Sequence, residues 1–392
     1  MKKFLSISLV VIMILGALLA FTACGDKEVN YAKDNTEIYI GASGPLTGGA
    51  AAYGKAVYNS ALLAVEEINA AGGVEINGEK VKIKFVMMDD AHDASKVAAN
   101  YASMFEAGMQ IGLGCVTTVP CKEFKSLSKE DNLFFITPSA SADTIVEFEN
   151  AFQMCFADNK QGVAAANYVN DNYAGKKIGV LYRADDTYST GILGEFESTL
   201  DSSFTLAKAS FSGDTVASFA SQIQTLKDCD FIFMPIYYGP AAQFMKEGKS
   251  TVNAKAVYYG CDGLDGIDTA VEGFDISTIP QEVSFLSHFN STATSGAAKD
   301  YIDKYIARFG TSEPLNQFGA SAYDCIYAIK AALEKADDIS VTSSPSDICD
   351  ALVDIFTSSD FSISGATGAT ISWDKDGFVH KDAVKYIVKE AD

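Results

Sequence analysis

Histidine, tryptophan and proline are scarce in this chain: three His, one Trp and eight Pro among 392 residues. His92, His288 and His380 stand far apart, and no Cys-x-x-Cys occurs. A zinc site or a Cys/His nucleophile pair has little to draw on. Two catalytic signatures also stop short. Gly41-Ala42-Ser43-Gly44 runs into Pro45 where a nucleophile elbow needs glycine. Gly112-Leu113-Gly114 has neither the third glycine of a dinucleotide fingerprint nor the Gly-Lys-Ser/Thr of a phosphate loop. Asp262, Asp265 and Asp268 miss the calcium-loop spacing, as does the turn at 374–377. No metal or cofactor is expected. Basic residues are outnumbered too, 30 Lys+Arg against 51 Asp+Glu, for a net charge of -21. That argues against nucleic acid as a partner and against adsorption to anionic lipid through the protein surface. Few prolines and 48% hydrophobic residues exclude a disordered or fibrous chain. The length exceeds what one core fills, so two lobes are expected.

Past the N-terminus no run is apolar enough to span a bilayer. At the N-terminus, Lys2 and Lys3 precede an apolar stretch from Phe4 to Phe21, which ends in Thr22-Ala23-Cys24. Small residues before a Cys resemble a bacterial lipobox, with Phe21 where Leu is usual. Residues 1–23 then form a lipoprotein signal peptide, Cys24 carries the lipid, and polar residues 24–35 form a tether. An ordinary cleaved leader with an incidental Cys24, or an uncleaved anchor, would share the apolar run. The other cysteines are Cys115, Cys121, Cys155, Cys229, Cys261, Cys325 and Cys349. Their number is odd, so at least one stays free within a single molecule.

Strand-like and helix-like runs alternate. Ile38–Ala42 reads as a strand, Tyr53–Ala71 as an amphipathic helix stopped by Gly72-Gly73, then Val81–Met88, Ala94–Gly108, Ile111–Gly114, Pro120–Asp131 and Leu133–Ile136. The pattern restarts at Gln161 and continues to Tyr259; Ala297–Gly310 and Ala320–Ala336 read as later helices. Such alternation predicts an α/β fold of two Rossmann-like units with parallel sheets, and ligands collect at the strand ends of such units.

The order of the motifs resembles one family. Ile40-Gly41-Ala42-Ser43-Gly44-Pro45-Leu46-Thr47-Gly48 is followed by Ala52-Tyr53-Gly54, Glu66-Glu67-Ile68-Asn69-Ala70-Ala71-Gly72-Gly73, Asp89-Asp90 and Ile136-Thr137-Pro138-Ser139-Ala140-Ser141. Then come Gln161-Gly162, Asp262-Gly263, and Gly365-Ala366-Thr367-Gly368 before Trp373-Asp374. Together these resemble the type I solute-binding proteins of the Leu/Ile/Val-binding class, which serve ABC importers. The resemblance implies a periplasmic-binding-protein fold with three hinge crossovers. Residues 36–157 and 288–370 would form one lobe and 158–287 and 371–392 the other, with hinges near Ala157-Asp158, Ser287-His288 and Ile371-Ser372. It implies a monomer outside the cytoplasm that is not an enzyme, takes an amino acid or similar zwitterion, and meets ABC permease subunits. A sensor of the same fold for another small organic solute is the alternative.

An α-carboxylate needs converging donors, best at helix N-termini. Val116, Thr117 and Thr118 follow one strand, and Ser139, Ala140 and Ser141 follow another. The resemblance makes both loops carboxylate ligands and lets the second offer a carbonyl to the ammonium; Val116 stands where relatives place a serine. Simple helix capping is the competing explanation for these hydroxyls. Asp262 matches the family's acidic ammonium ligand, against the alternative of a turn aspartate beside glycine. Tyr53, Tyr188, Tyr237 and Phe318 match its cleft aromatics. In many relatives a disulfide joins the Cys115 position to the loop after Asp89-Asp90, where this chain has His92. Asp185-Asp186, near the cleft, would favour a more polar ligand.

Overall fold

A computed structural model describes residues 30–391. The leader and Cys24 lie outside the described residues.

The chain runs β1 (Ile38–Gly44), α1 (Ala51–Ala70), β2 (Val74–Ile76), β3 (Glu79–Val81), β4 (Ile83–Asp89), α2 (Val97–Glu106), β5 (Ile111–Gly114), α3 (Thr118–Glu130), β6 (Phe135–Thr137) and β7 (Ala151–Gln153). It continues through α4 (Asp158–Asn172), β8 (Ile178–Arg183), α5 (Thr187–Thr199), β9 (Leu206–Phe211), α6 (Ala220–Leu226), β10 (Phe231–Met234), α7 (Tyr238–Gly248), β11 (Val257–Gly260) and β12 (Glu282–Ser287). It ends with α8 (Gly296–Phe309), α9 (Gln317–Leu333), α10 (Pro345–Phe356), β13 (Ile363–Gly365), β14 (Gly368–Ile371) and β15 (Val384–Lys389).

Two sheets result. The first has the order β4-β1-β5-β6-β7, all parallel. The second has the order β15-β12-β11-β10-β8-β9, parallel except for β15, which lies antiparallel on β12. The central strands are buried throughout, as in β1 and β10, because helices cover both faces of a parallel sheet. This is the α/β architecture expected from the alternation.

The chain passes from the first sheet to the second between β7 and α4 and returns after β12. The helices that follow belong to the first lobe. Ser60 on α1 hydrogen-bonds Tyr301 on α8 at 2.7 Å, and α9 packs along α1. Gly54 permits α1 to lie against the loop after β1, since a Cβ there would fall 2.0 Å from the Pro45 carbonyl oxygen. α10 starts with a capping box between Ser344 and Asp347 and Pro345 in its first turn.

Two boundaries differ from the expectation. Trp373 donates its indole N–H to the Gln153 carbonyl at 2.7 Å and packs on Phe356 and Phe361. The turn after it accepts the Gln153 N–H at Gly377. Residues 373–379 thus stay with the first sheet, and the third crossover lies between His380 and Val384 rather than at Ile371-Ser372. Residues 30–35, expected in the tether, lie against the body instead. Asn30 donates to the Thr342 carbonyl at 3.0 Å, Asn35 to the Gly108 carbonyl at 2.9 Å, and Ala32 is buried. The amide side chains find backbone carbonyls, so this polar stretch is fastened to the body.

Candidate functional site

The C-terminal ends of the central strands in both sheets face each other. Between them lies a narrow cavity of about 10 Å³, room for about one water molecule. Tyr53, Val116, Thr117, Thr118, Ser139, Ser141, Tyr188, Tyr237, Asp262, Gly263 and Phe318 line it. Ten of these eleven were named from the sequence. Ala140 does not line the cavity; its carbonyl accepts from the Gln153 amide at 3.0 Å behind the wall.

Helix N-termini converge here. α3 begins at Thr118 with Thr117 as its N-cap residue, α4 at Asp158, and α5 just before Tyr188. α7 has Tyr237 as its N-cap residue, and Phe318 is the second residue of α9. Three of these positive ends already carry an acid. Asp158 lies in the first turn of α4, Asp186 is the N-cap residue of α5, and Asp265 accepts from the Gln317 N–H of α9 at 2.9 Å. α3 has no acidic residue in its first turn. Neither α3 nor the 3-10 turn after Ser141 is capped by a side chain, which removes the capping explanation for Thr117 and leaves the hydroxyl-bearing loops facing the cavity. Thr117 instead meets His92, Nδ1 to Oγ1 at 2.8 Å. Thr137 shapes the second loop, its hydroxyl accepting from the Ala140 N–H at 2.9 Å and donating to the Cys115 carbonyl at 3.0 Å.

Opposite these loops is the acid. Asp262 is buried and opens a short 3-10 turn after β11. Tyr188 donates to its Oδ1 at 2.6 Å, and its own N–H donates to Gln161 Oε1 at 2.8 Å. Burial pushes the Asp262 carboxyl up to about 6, partly offset by the hydrogen bonds from Tyr188, Gln161 and Gly263. It is an acid held short of a cation. Asp158 lies close behind, linked through Gln161 at 3.2 Å, and burial with the nearby Asp262 charge raises it strongly.

Aromatic rings form the remaining wall. Tyr188 stacks on Tyr237 at 5.0 Å, and Tyr53 meets Tyr237, Tyr238 and Phe318 edge-on at 5.7, 4.8 and 5.1 Å. The Tyr53 hydroxyl donates to the Gly263 carbonyl across the cleft, and the Ala52 N–H donates to the Tyr238 hydroxyl at 3.3 Å. The cleft is therefore shut in this structure.

His92, Gly263, Tyr238 and Gln161 were not named as site residues. Gln161 and Gly263 sat in quoted motifs, and His92 in the loop after Asp89-Asp90; only Tyr238 had no signal beyond its neighbour Tyr237. Burial lowers the His92 pKa, and its ring lies edge-on to Tyr237 at 5.6 Å. Asp185 pairs with Arg183 at 2.9 Å and Asp186 is the N-cap residue of α5; neither lines the cavity, though Asp186 lies near Tyr237 and His92. All seven cysteines among the described residues are free and buried, so Cys115 is unpaired.

The model of the periplasmic binding proteins matches residues 37–385. The chain belongs to that family. It is similar to a Leu/Ile/Val-binding protein homolog of Brucella melitensis, 26% identical over 306 residues, covering 76% of this chain and 79% of that one. It is also similar to a leucine-, isoleucine-, valine-, threonine- and alanine-binding protein of Pseudomonas aeruginosa, 26% identical, covering 81% and 83%. A solved structure of LivJ from Streptococcus pneumoniae, holding isoleucine, superposes with a TM-score of 0.75 at 25% identity, covering 91% and 96%. A benzoate-bound solute-binding protein of R. palustris shares the fold at a TM-score of 0.75 and 17% identity, covering 90% and 93%. As a type I periplasmic binding protein, the chain is a solute-binding protein, as its relatives are. The family implies a place outside the cytoplasm. Among the described residues no helix is long and apolar enough to cross a membrane.

Proposed function

We propose that this periplasmic binding protein captures an α-amino acid between its lobes and delivers it to an ABC importer, tethered to the membrane through lipidated Cys24 and acting as a monomer. One lobe comprises residues from 36 to 157 and from 288 to the crossover after His380; the other comprises 158–287 and the last strand.

One juxtaposition carries the reading. The N-terminus of α3, with no acid in its first turn, lies across the narrow cavity from the buried Asp262, whose carboxyl has no cation beside it among the described residues. The first suits a carboxylate and the second an ammonium. An α-amino acid supplies both within its own backbone. Val116, Thr117, Thr118, Ser139 and Ser141 hold the carboxylate, Asp262 holds the ammonium, and Tyr53, Tyr237 and Phe318 receive the side chain. A benzoate-like acid would leave Asp262 without a cation.

The test is a thermal-shift panel of amino acids and benzoates on the chain from Cys24 onward. A true ligand at a hundredfold over its Kd adds about 2.7 kcal/mol of stability. Stabilisation by benzoates and by no amino acid would reverse the assignment.

A further inference from the structure

β4 ends at Asp89, and the chain then passes through two left-handed residues, Ala91 at φ 51° and His92 at φ 64°. Residues with a Cβ seldom take that conformation, so the surroundings must hold it. Two carboxylates do so. Asp89 Oδ1 accepts the Ala91 N–H at 2.8 Å, and Asp90 Oδ1 accepts the His92 N–H at 2.9 Å. Asp90 is itself buried and accepts the Ser43 hydroxyl at 3.0 Å. This turn delivers the His92 side chain, 13% exposed, to the cleft. There Nδ1 lies 2.8 Å from Thr117 Oγ1, beside β5 of the first sheet. The ring also meets Tyr237, just past β10 of the second sheet, edge-on at 5.6 Å. Its Nε2 comes within 3.8 Å of Asp214, just past β9 of the second sheet. Thr117 caps no helix N–H with its side chain, and its hydroxyl has no second partner among the described residues.

We infer that His92 is a positioning residue for the ligand's carboxylate: its Nδ1–H donates to Thr117 Oγ1 and so aims the one proton of the Thr117 hydroxyl at the ligand. A hydroxyl has a single proton and two lone pairs. If Thr117 spends that proton on His92, it turns a lone pair towards the carboxylate and repels it. If His92 is the donor, Thr117 accepts behind and donates forward, and the two bonds polarise one another. The far side of the ring does not decide the matter. At 3.8 Å Nε2 forms no hydrogen bond with Asp214, whose Oδ1 already accepts from Arg183. The carboxylate therefore selects the Nδ1–H form. A protonated ring donates from the same nitrogen, so the role survives ionisation. The walls of the ring come from both sheets, and the donor is fixed as the cleft closes. The inference rests on the reading of the α3 N-terminus as a carboxylate site; the contact between His92 and Thr117 does not.

Three histidines in the whole chain make the test direct. The chain from Cys24 onward is labelled with 15N-histidine and saturated with the compound that ranks first in the thermal-shift panel, amino acid or benzoate, since each carries a carboxylate. Nitrogen–proton correlation spectra should show the proton of His92 on Nδ1. His92→Phe keeps a ring against Tyr237 and loses the donor, and should weaken binding about fivefold, the worth of one net hydrogen bond. His92→Asn offers an amide N–H and tolerates the left-handed turn, and should recover most of that loss. In a Thr117→Val background, His92→Phe should cost nothing further, because the hydroxyl through which it acts is gone. A proton on Nε2 alone with the probe bound would overturn the inference. So would a His92→Phe loss that is as large in the Thr117→Val background as in the wild type, since it would make His92 a packing residue. Either result with an amino acid in the site leaves the amino-acid reading standing. A benzoate as the only binder, with His92 and Thr117 coupled, would do the reverse. A panel in which no carboxylate binds would remove the carboxylate site and the inference with it.

Discussion

The hydroxyl of Tyr53, on a helix of the first lobe, donates to the carbonyl of Gly263 in the second, so the cleft closes through a direct bond between two cavity-lining residues. Tyr53→Phe keeps the ring contacts with Phe318, Tyr237 and Tyr238 and removes that bond together with the long 3.4 Å one that the hydroxyl accepts from the Tyr238 N–H. A hydrogen bond of this kind contributes about 1 kcal/mol net, or roughly fivefold in affinity. Calorimetry with the best panel ligand should show a weakening of that size, and equal affinities would mean that the bond does not help hold the closed form.

Gly263 has a second duty. A Cβ there would fall 2.6 Å from the Tyr188 hydroxyl and 2.9 Å from the Ile236 carbonyl oxygen. Backbone cannot yield as a flexible side chain can, so Gly263→Ala should displace Tyr188 from Asp262. Such overpacking costs about 1–3 kcal/mol. The loss should appear in ligand binding, with the far-ultraviolet spectrum unchanged.

Asp262 should act with opposite signs on function and stability. Asp262→Asn removes the charge that faces the ammonium, and losing one partner of a buried charge pair costs about 2–5 kcal/mol of affinity. In the empty protein the same carboxyl is held up at about 6 by burial. A carboxyl whose folded pKa lies above its unfolded value destabilises the fold when ionised. The penalty is absent below the unfolded pKa and complete above about 6, where it amounts to on the order of 3 kcal/mol. The Asn variant without ligand should therefore melt above wild type at pH 7.5. A lower melting temperature would show that the carboxylate serves the fold rather than the ligand.

The same titration sets a pH profile for binding. An ammonium ligand needs ionised Asp262, so wild-type affinity should hold above about pH 6 and fall as pH drops through it. Binding in acid should then release a proton, which calorimetry in buffers of different ionisation enthalpy detects. A flat profile from pH 7 to 5 would place the ammonium elsewhere.

What the sequence made legible follows from how local each signal was. β1, α1, β5 and α3 stood out because buried parallel strands are apolar runs and glycines mark their ends. Thr117, Thr118, Ser139, Ser141 and Asp262 sit just past such strands and Tyr53 in the first turn of α1, but position alone equally suited helix capping or a turn, and the family resemblance singled them out. The edges were less so. β12 reads Glu-Val-Ser-Phe-Leu-Ser after a Ser/Thr/Gly-rich stretch, and β15 is an exposed antiparallel addition with alternating Lys and apolar residues. Both owe their strand state to pairing with each other, which no local pattern records. Residues 373–379 were assigned to the wrong lobe because Trp373 is held by the distant Gln153 carbonyl. His92 was hidden for the same reason, since its role is a contact with Thr117, 25 residues on.

The last prediction concerns motion. Closure buries Asp262, Tyr53, Tyr188 and Phe318 together, while the bonds between the lobes are few, among them Tyr53 to Gly263 and Tyr238, Ala52 to Tyr238, Gln317 to Asp265 and Leu286, and the 3.8 Å approach of His92 to Asp214. Against these stand the ionised Asp262 and the nearby Asp158, both of which gain hydration when the lobes part. Without a cation the balance should favour the open form. A bound ammonium neutralises Asp262, and a bound carboxylate occupies the N-terminus of α3, so a ligand touching both lobes stabilises the closed form by its differential affinity. The three crossovers, after β7, after β12 and after His380, are the hinge. Small-angle scattering should therefore show a smaller radius of gyration at saturating ligand than without it. Identical radii would mean a rigid site, and a receptor that signals its load to a permease by closing would lose its physical basis.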